Sequence, residues 1–136
     1  MNQYLLDTNI ISELRKMRPH GAVTAWISAM EEARLFVSAV TLGELQVGIE
    51  RTRRQDPSKA SELERWGDSV PAVYRVLPMD IACFREWGRI MDKKPPELLQ
   101  DAMIAATARV HRLVVATRNE RDFERLEVRT FNPFKN

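Results

Sequence analysis

A short apolar run near the start of the chain ends abruptly in an acid. Residues 4–6 are Tyr-Leu-Leu, Asp7 follows directly, and apolar residues at helical spacing begin at Ile10. This pattern predicts a buried parallel strand, a tight turn and a helix. Because such a strand delivers the next residue to the carboxyl edge of the sheet, where open α/β folds bind ligands, we expect Asp7 at a binding edge.

Strand-like and helix-like segments alternate along the rest of the chain. Short apolar runs predict further strands at residues 35–37, 73–77, 113–116 and 128–131. Apolar residues at helical spacing predict helices at 10–17, 23–30, 42–49, 59–69, 81–91, 98–110 and around 123. We therefore predict an α/β fold, a three-layer α/β/α sandwich with a central parallel sheet of about five strands.

Composition limits the chain further. With 136 residues, of which 44% are hydrophobic, it suits one globular domain spanning residues 1–136. The apolar runs are shorter than a membrane span, and Asp7 interrupts the apolar core that a secretory signal needs, so we expect a soluble, cytoplasmic protein. One cysteine, Cys83, and two histidines exclude an internal disulfide and disfavour structural zinc, so a bound metal would need oxygen ligands.

Four acids are distinguished by their positions. Asp7, Glu44 and Asp122 follow predicted strands, and Asp101 opens an alanine-rich helix. Gathered at one edge of the sheet, they would repel one another by about 4 kcal/mol per close pair, which calls for a cation. Oxygen ligands favour Mg²⁺ or Mn²⁺; water activated by one ion can attack a phosphodiester while a second ion stabilises the leaving oxygen.

This arrangement predicts phosphodiester hydrolysis. Asp7 and Asp101 are the predicted main metal ligands. Glu44 and Asp122 either bind metal through water or orient the nucleophile, and both roles stay open at this point.

Each acid also has a structural interpretation. Thr41 and Glu44 have the spacing of a capping box, and Asp101 would complement a helix dipole. Asp122 would cap the short helix that contains Phe123. Taken one at a time, these interpretations are at least as well supported as the functional ones.

The polar neighbours of the acids are equally open. Asp7 would form a local Asx turn through Asn9, although an acid after a buried strand is costly unless it is satisfied. Thr8 and Asn9 would serve as helix N-caps, and Ser38 would either cap a helix or touch a substrate.

Four segments, in order along the chain, carry a specific resemblance. They are LLDTN at residues 5–9, VSAVTLGEL at 37–45, DAMIAATA at 101–108 and ATRNERDF at 116–123. This set resembles the sequence blocks of PIN-domain proteins, in particular the VapC and FitB-like toxins of bacterial toxin–antitoxin pairs. The resemblance covers nearly the whole chain, and it is specific as a set rather than segment by segment.

The resemblance implies an Mg²⁺- or Mn²⁺-dependent ribonuclease. Its acidic site would be Asp7, Glu44, Asp101 and Asp122. Thr117 and Asn119 would assist nearby. Residues 95–100, before the third acid, differ from the pattern of many relatives, so contacts there and the choice of RNA are not carried over.

The resemblance also implies partners. Such toxins form homodimers or hetero-oligomers with a VapB- or FitA-like antitoxin, whose tail lies across the active-site groove and whose other end binds operator DNA. Apolar helix surfaces would suit a dimer or antitoxin groove; they include Trp26, Ile27, Leu45, Ile49 and Trp66.

Substrate contacts can be predicted around the acids. The net charge is +2 and the isoelectric point is about 8.9, and arginines cluster at Arg51, Arg53 and Arg54. We hypothesise that these three and Arg118 hold RNA phosphates. The other predicted substrate-binding residues are Thr8, Asn9, Ser38, Thr117 and Asn119.

Three alternatives remain at the level of sequence. A receiver-like signalling domain needs an adjacent acid pair after strand one and a late lysine, whereas this chain has Leu6 before Asp7 and Arg118 in the late turn. An aspartyl-nucleophile phosphatase needs a second Asp two residues on, and that position is Asn9. The third is a catalytically inactive PIN-like binding module, against which the presence of all four acids argues.

Overall fold

A five-stranded parallel sheet forms the centre of the computed structural model, which describes residues 1–135. The strand order is β3-β2-β1-β4-β5. The central strand β1 pairs with β2, where Leu5 lies opposite Phe36, and with β4, where Leu5 lies opposite Val115. The strands are Tyr4–Leu6 (β1), Leu35–Ser38 (β2), Arg75–Leu77 (β3), Val114–Ala116 (β4) and Thr130–Phe131 (β5).

Seven α-helices connect and cover these strands within residues 1–135. They are Thr8–Arg15 (α1), Gly21–Ala29 (α2), Ala39–Arg53 (α3), Pro57–Val73 (α4), Ile81–Met91 (α5), Leu99–His111 (α6) and Glu120–Arg125 (α7). Short 3₁₀ turns lie at Glu32–Arg34, Pro96–Leu98 and Pro133–Lys135.

The two faces of the sheet carry separate apolar cores. Because successive side chains of a strand point to opposite faces, Leu5 and Leu6 belong to different clusters. Leu5 packs with residues of α5, α6 and α7, whereas Leu6 packs with residues of α1, α2 and α4. The predicted three-layer α/β/α sandwich is therefore confirmed.

Small side chains let α6 lie close to the sheet. Ala102, Ala105, Ala106 and Ala108 are all fully buried in the cluster around Leu5. This close packing brings the first turn of α6, with Asp101, towards the carboxyl ends of the strands.

Several predicted boundaries differ from the structure. The fourth helix runs to Val73 instead of ending at Ser69, so β3 begins at Arg75 and not at Val73. Pro71 lies in the last turn of α4 and is exposed, so its missing N–H removes a single helical hydrogen bond and does not end the helix. The last strand is shorter than predicted because Val128 precedes the paired residues.

No helix in the described part of the chain combines the length and apolar character needed to cross a bilayer.

Candidate active site

Asp7 is held from both sides where β1 ends. Its side chain is 5% exposed. Oδ1 accepts a hydrogen bond from the backbone N–H of Thr8 at 2.8 Å, and Oδ2 accepts one from the Thr117 hydroxyl at 2.8 Å. Asp7 is thus the N-cap of α1, and the structure adopts neither the alternative of an Asx turn through Asn9 nor that of caps at Thr8 and Asn9. The carboxylate is buried without being orphaned.

Glu44 faces Asp7 from α3. The N-cap of this helix is Ser38, whose hydroxyl accepts from the backbone N–H of Val40 at 3.1 Å, so the capping box of Thr41 and Glu44 is wrong. Instead, Oε1 of Glu44 accepts from the Thr8 hydroxyl at 2.9 Å. The Thr8 and Thr41 hydroxyl oxygens are 3.0 Å apart. Because the Thr8 hydroxyl has one proton and donates it to Glu44, the Thr41 hydroxyl donates to the Thr8 oxygen.

Asp101 and Asp122 complete the set of acids from two further helices. Asp101 lies half-buried in the first turn of α6 and has no hydrogen-bond donor among residues 1–135. Asp122 lies in the first turn of α7, whose N-cap is Asn119, so the structural alternative of capping by Asp122 does not apply. Its Oδ2 accepts from Nδ2 of Asn119 at 2.9 Å. Arg125 lies 3.8 Å from its other carboxylate oxygen.

Three of the four acids, Asp7, Glu44 and Asp101, line a cavity of about 440 Å³ at the carboxyl edge of the sheet. We call it the acidic cavity. Asp122 does not line this cavity, although the sequence predicts that all four acids gather at one edge, and it acts on Asp101 through its charge. The lining residues are Asp7, Thr8, Asn9, Ser12, Glu13, Lys16, Glu44, Asp101, Arg118 and Asn119.

Burial and mutual repulsion raise the pKa values of three acids. Burial raises the pKa of Asp7, opposed by its bonds from Thr117 and Thr8 and reinforced by Glu44. Burial also raises the pKa of Glu44, opposed by the Thr8 hydroxyl and reinforced by Asp101. Asp101 has no such hydrogen bond, and burial with the charges of Asp7 and Asp122 raises its pKa to about 6. The cavity is therefore a site of concentrated negative potential.

The predicted substrate-binding residues separate into two groups. Thr8, Asn9, Arg118 and Asn119 line the acidic cavity. Thr117 and Ser38 are fully buried. Thr117 holds Asp7 and accepts the backbone N–H of Asn119 at 2.9 Å. Ser38 caps α3 and does not line the cavity. Of its two proposed roles, the structure therefore shows the helix cap.

The sequence interpretation missed three residues of the cavity wall. Ser12 and Glu13 lie on α1 beyond Thr8, and Lys16 is the C-cap of this helix. Glu13 is 7% exposed, binds Nζ of Lys16 at 2.9 Å and accepts the backbone N–H of His20 at 2.9 Å. The available signal was helical spacing for Ser12, which lies four residues after Thr8 on the same face of α1. Lys16 lies past the end of the helix in extended backbone, where this spacing does not apply.

The arginines of α3 lie apart from the acidic cavity. Arg51, Arg53 and Arg54 line a different cavity, of about 620 Å³, at the end of α3. Arg53 is paired with Glu50 at 3.0 Å and Glu64 at 2.8 Å. Seven residues separate Glu44 from Arg51, or about 10 Å along a helix axis. These arginines could therefore contact a substrate bound at the acids only if the RNA extends along α3 beyond the acidic cavity.

The donor chemistry of the acidic cavity fits a hard divalent cation. Within residues 1–135, no three His, Cys, Asp or Glu side chains are grouped closely enough to hold an ion together. Mg²⁺ is usually held by one or two carboxylates and keeps several waters, so it does not require such a group. Asp101, with no hydrogen-bond donor and a raised pKa, is the carboxylate with the most to gain from a cation.

Fold and site together define a class: a parallel α/β/α protein with a carboxylate-rich cavity at the carboxyl edge of its central strands. A model of the PIN domain family matches residues 4–128. The chain belongs to the PIN-domain family, which excludes the receiver-like and phosphatase alternatives.

Relatives cover the chain from end to end. The VapC ribonuclease Y4jK of Sinorhizobium fredii is 36% identical over 136 residues, covering 96% of this chain and 97% of its own. The toxin FitB of Neisseria gonorrhoeae is 33% identical, and the match covers 96% of this chain and 97% of FitB. The crystal structure of FitAcB from Neisseria gonorrhoeae contains a chain that is 32% identical and superposes with a TM-score of 0.86. The match covers 98% of the present chain and 100% of that one. The predicted resemblance to VapC and FitB-like proteins is confirmed.

Proposed function

We propose that this chain is a divalent-metal-dependent endoribonuclease and the toxin of a toxin–antitoxin pair, acting on RNA in the cytoplasm. The observation that carries the proposal is the acidic cavity, where Asp7, Glu44 and Asp101 meet at the carboxyl edge of the sheet. Relatives that match nearly the whole chain are named VapC ribonuclease and toxin FitB, which supports the choice of RNA as substrate.

In this proposal Asp7 and Asp101 are the main ligands of Mg²⁺ or Mn²⁺. Glu44 and Asp122 bind the ion through water or orient the attacking water. When bound, the ion would neutralise charge on the scissile phosphate and make nearby water more acidic. The raised pKa values of Asp7, Glu44 and Asp101 favour this, because burial and, to a smaller extent, mutual repulsion disfavour their charged forms and a bound cation would offset both.

The remaining polar residues orient the acids and the substrate. Thr117 holds Asp7 with its hydroxyl, Thr8 holds Glu44, and Asn119 holds Asp122. At Glu44 and Asp122 the donor fixes one carboxylate oxygen and leaves the other without a hydrogen bond. At Asp7 each oxygen accepts one hydrogen bond, and an ion or water would use the remaining lone pairs. Arg118 lines the cavity wall, which supports the proposal that it binds a phosphate of the RNA.

We further propose that the partner is an antitoxin that also binds operator DNA. A second cavity, of about 250 Å³, shares Thr8, Ser12 and Glu44 with the acidic cavity and continues between α3 and α4 along Leu45 and Trp66. An apolar side chain of an antitoxin tail would fit there. Solved neighbours include FitAB bound to a DNA fragment, with a TM-score of 0.84 and 31% identity. Homodimers and toxin–antitoxin hetero-oligomers are both compatible with this arrangement.

Cleavage of RNA by the purified chain tests the proposed activity. We expect internal cleavage products in Mg²⁺ or Mn²⁺ and none in the presence of a chelator, with activity restored when excess metal is added back. Single-stranded DNA of the same sequence and a small phosphate ester serve as controls for substrate class. Chelator-resistant cleavage would contradict the metal-dependent mechanism. Failure to cut any cellular RNA in either metal would favour the inactive binding module.

A further inference from the structure

The guanidinium of Arg118 lies over an aromatic ring beside the acidic cavity. Its central carbon is 4.3 Å from the ring centroid of Phe134. Arg118 is exposed and lines the cavity, and it forms no ion pair within residues 1–135 although Glu13 shares that wall. An arginine that lines the same cavity as several carboxylates would ordinarily form an ion pair with one of them. The cation–π contact with Phe134 competes with such pairing.

Phe134 is itself fixed in place. Its backbone N–H donates to Oδ1 of Asn132 at 2.9 Å, and its ring meets the ring of His20 edge-on at 5.2 Å. The next residue, Lys135, is paired with Glu120 at 2.9 Å. The turn Pro133–Lys135 therefore contacts both the start of α2 and α7, and the ring also packs, partly buried, against the apolar cluster around Leu6.

The backbone of Arg118 is held independently. Its N–H donates to Oδ1 of Asn9 at 3.2 Å, and Nδ2 of Asn9 lies 3.4 Å from the Thr117 hydroxyl. Backbone and guanidinium are thus restrained by different elements, α1 and the turn Pro133–Lys135. A side chain restrained in this way loses less rotamer freedom when it binds a phosphate than a free arginine would.

We infer that Phe134 is a positioning residue that keeps the Arg118 guanidinium at the mouth of the acidic cavity, ready to bind a phosphate of the RNA next to the one that is cut. This inference rests on the proposed function for the identity of the ligand. Arginine suits the task because its guanidinium can stack on a ring and still direct several N–H donors at a phosphate. Phe134 itself need not touch the RNA.

Binding of RNA by substituted proteins tests the inference. The parent is the full chain carrying Asp101→Asn, which leaves the probe uncut, and the probe is a fluorescein-labelled single-stranded RNA of mixed sequence. We expect Arg118→Ala to weaken binding roughly fivefold and to reduce the slope of log K against log salt by about 0.7. Phe134→Leu should weaken binding about threefold. The double variant should bind no worse than Arg118→Ala alone.

Two controls separate positioning from general packing. Phe134→Tyr keeps the ring face and should bind like the parent. Phe131→Leu removes a ring that packs on Tyr4 and Trp26 and stacks on no arginine, so it should change the midpoint of thermal unfolding but not RNA affinity.

Two outcomes would overturn the inference. One is parent-like binding by Phe134→Leu. The other is a double variant that loses the full product of the two single effects, which would make Phe134 independent of Arg118. Wild-type protein that cuts no RNA, together with the non-additive binding described above, would defeat the proposed nuclease and still support this role of Phe134.

Discussion

Replacing Asp101 by Asn is expected to abolish RNA cleavage while raising the midpoint of thermal unfolding of the metal-free protein. Cleavage should fall at least about a thousandfold, because the ion supplies several kcal/mol of transition-state stabilisation and each 1.36 kcal/mol is a factor of ten. The folded state should become more stable, because Asp101 is half-buried beside Asp7 and Asp122 and receives no hydrogen bond from residues 1–135. Rates and unfolding midpoints of the two proteins measure both effects.

The gain in stability has a defined dependence on pH. The pKa of Asp101 is raised from 3.8 to about 6 in the folded protein, so the folded state binds more protons than the unfolded state between these values. The wild-type protein in chelator should therefore become more stable as the pH falls from 7.5 to 5, and Asp101→Asn should lack this part of the change. At pH 7.5 the free energy of unfolding of the variant should exceed that of the wild type by about 1 kcal/mol, after allowance for solvent screening of a half-exposed group. This difference corresponds to an unfolding midpoint roughly 3 °C higher.

Asp68→Asn is the matched control for this substitution. Asp68 is an exposed carboxylate of α4 and does not line the acidic cavity. Its replacement should leave cleavage and stability close to wild type. Unfolding of Asp101→Asn, or cleavage at the wild-type rate, would mean that Asp101 supports the fold instead of the reaction.

Thr117→Val is expected to damage both the fold and the activity. The Thr117 hydroxyl is fully buried, donates to Oδ2 of Asp7 at 2.8 Å and accepts the backbone N–H of Asn119 at 2.9 Å. Valine keeps the shape but leaves a buried carboxylate oxygen and an amide without partners, which costs about 2–3 kcal/mol. Because the orientation of a predicted metal ligand is lost as well, cleavage should fall roughly 10- to 100-fold.

Thr107→Val provides the comparison. Thr107 is also fully buried, but its hydroxyl donates to the carbonyl of Met103 at 3.0 Å within α6 and meets no acid. Unfolding midpoints and cleavage rates of the two variants should therefore differ, with the loss of activity confined to Thr117→Val. Equal activities in the two variants would remove Thr117 from the proposed mechanism.

Local patterns made the ends of the first strand and of α6 predictable. An apolar run followed directly by Asp7 allows few structures, and the small residues of α6 alone indicate close packing against the sheet. The approach of Asp7 and Glu44 to one edge followed because parallel strands deliver the residues after them to a common edge. Asp101 reaches the cavity from the first turn of a helix, and Asp122 does not line it. Helix ends were less predictable, as Pro71 shows, because tertiary packing decides whether a helix tolerates one missing hydrogen bond.

Contacts between distant residues were beyond reach of a single sequence. The capping-box spacing of Thr41 and Glu44 is real, yet Glu44 instead bonds Thr8, which lies 36 residues earlier. Likewise nothing in the spacing of Arg118 and Phe134 indicates that their side chains stack. Such pairs depend on how helices cross the sheet edge, and local propensity does not encode that geometry.

Titration of Mn²⁺ into the metal-free protein tests most directly whether the acidic cavity is a metal site. Electron paramagnetic resonance reports the free ion, and Mg²⁺ is added as competitor. We predict that wild-type protein takes up Mn²⁺, that Mg²⁺ displaces it, and that Asp101→Asn binds at least about tenfold more weakly because a main ligand is lost. Equal uptake by both proteins, or no uptake by the wild type, would contradict the account.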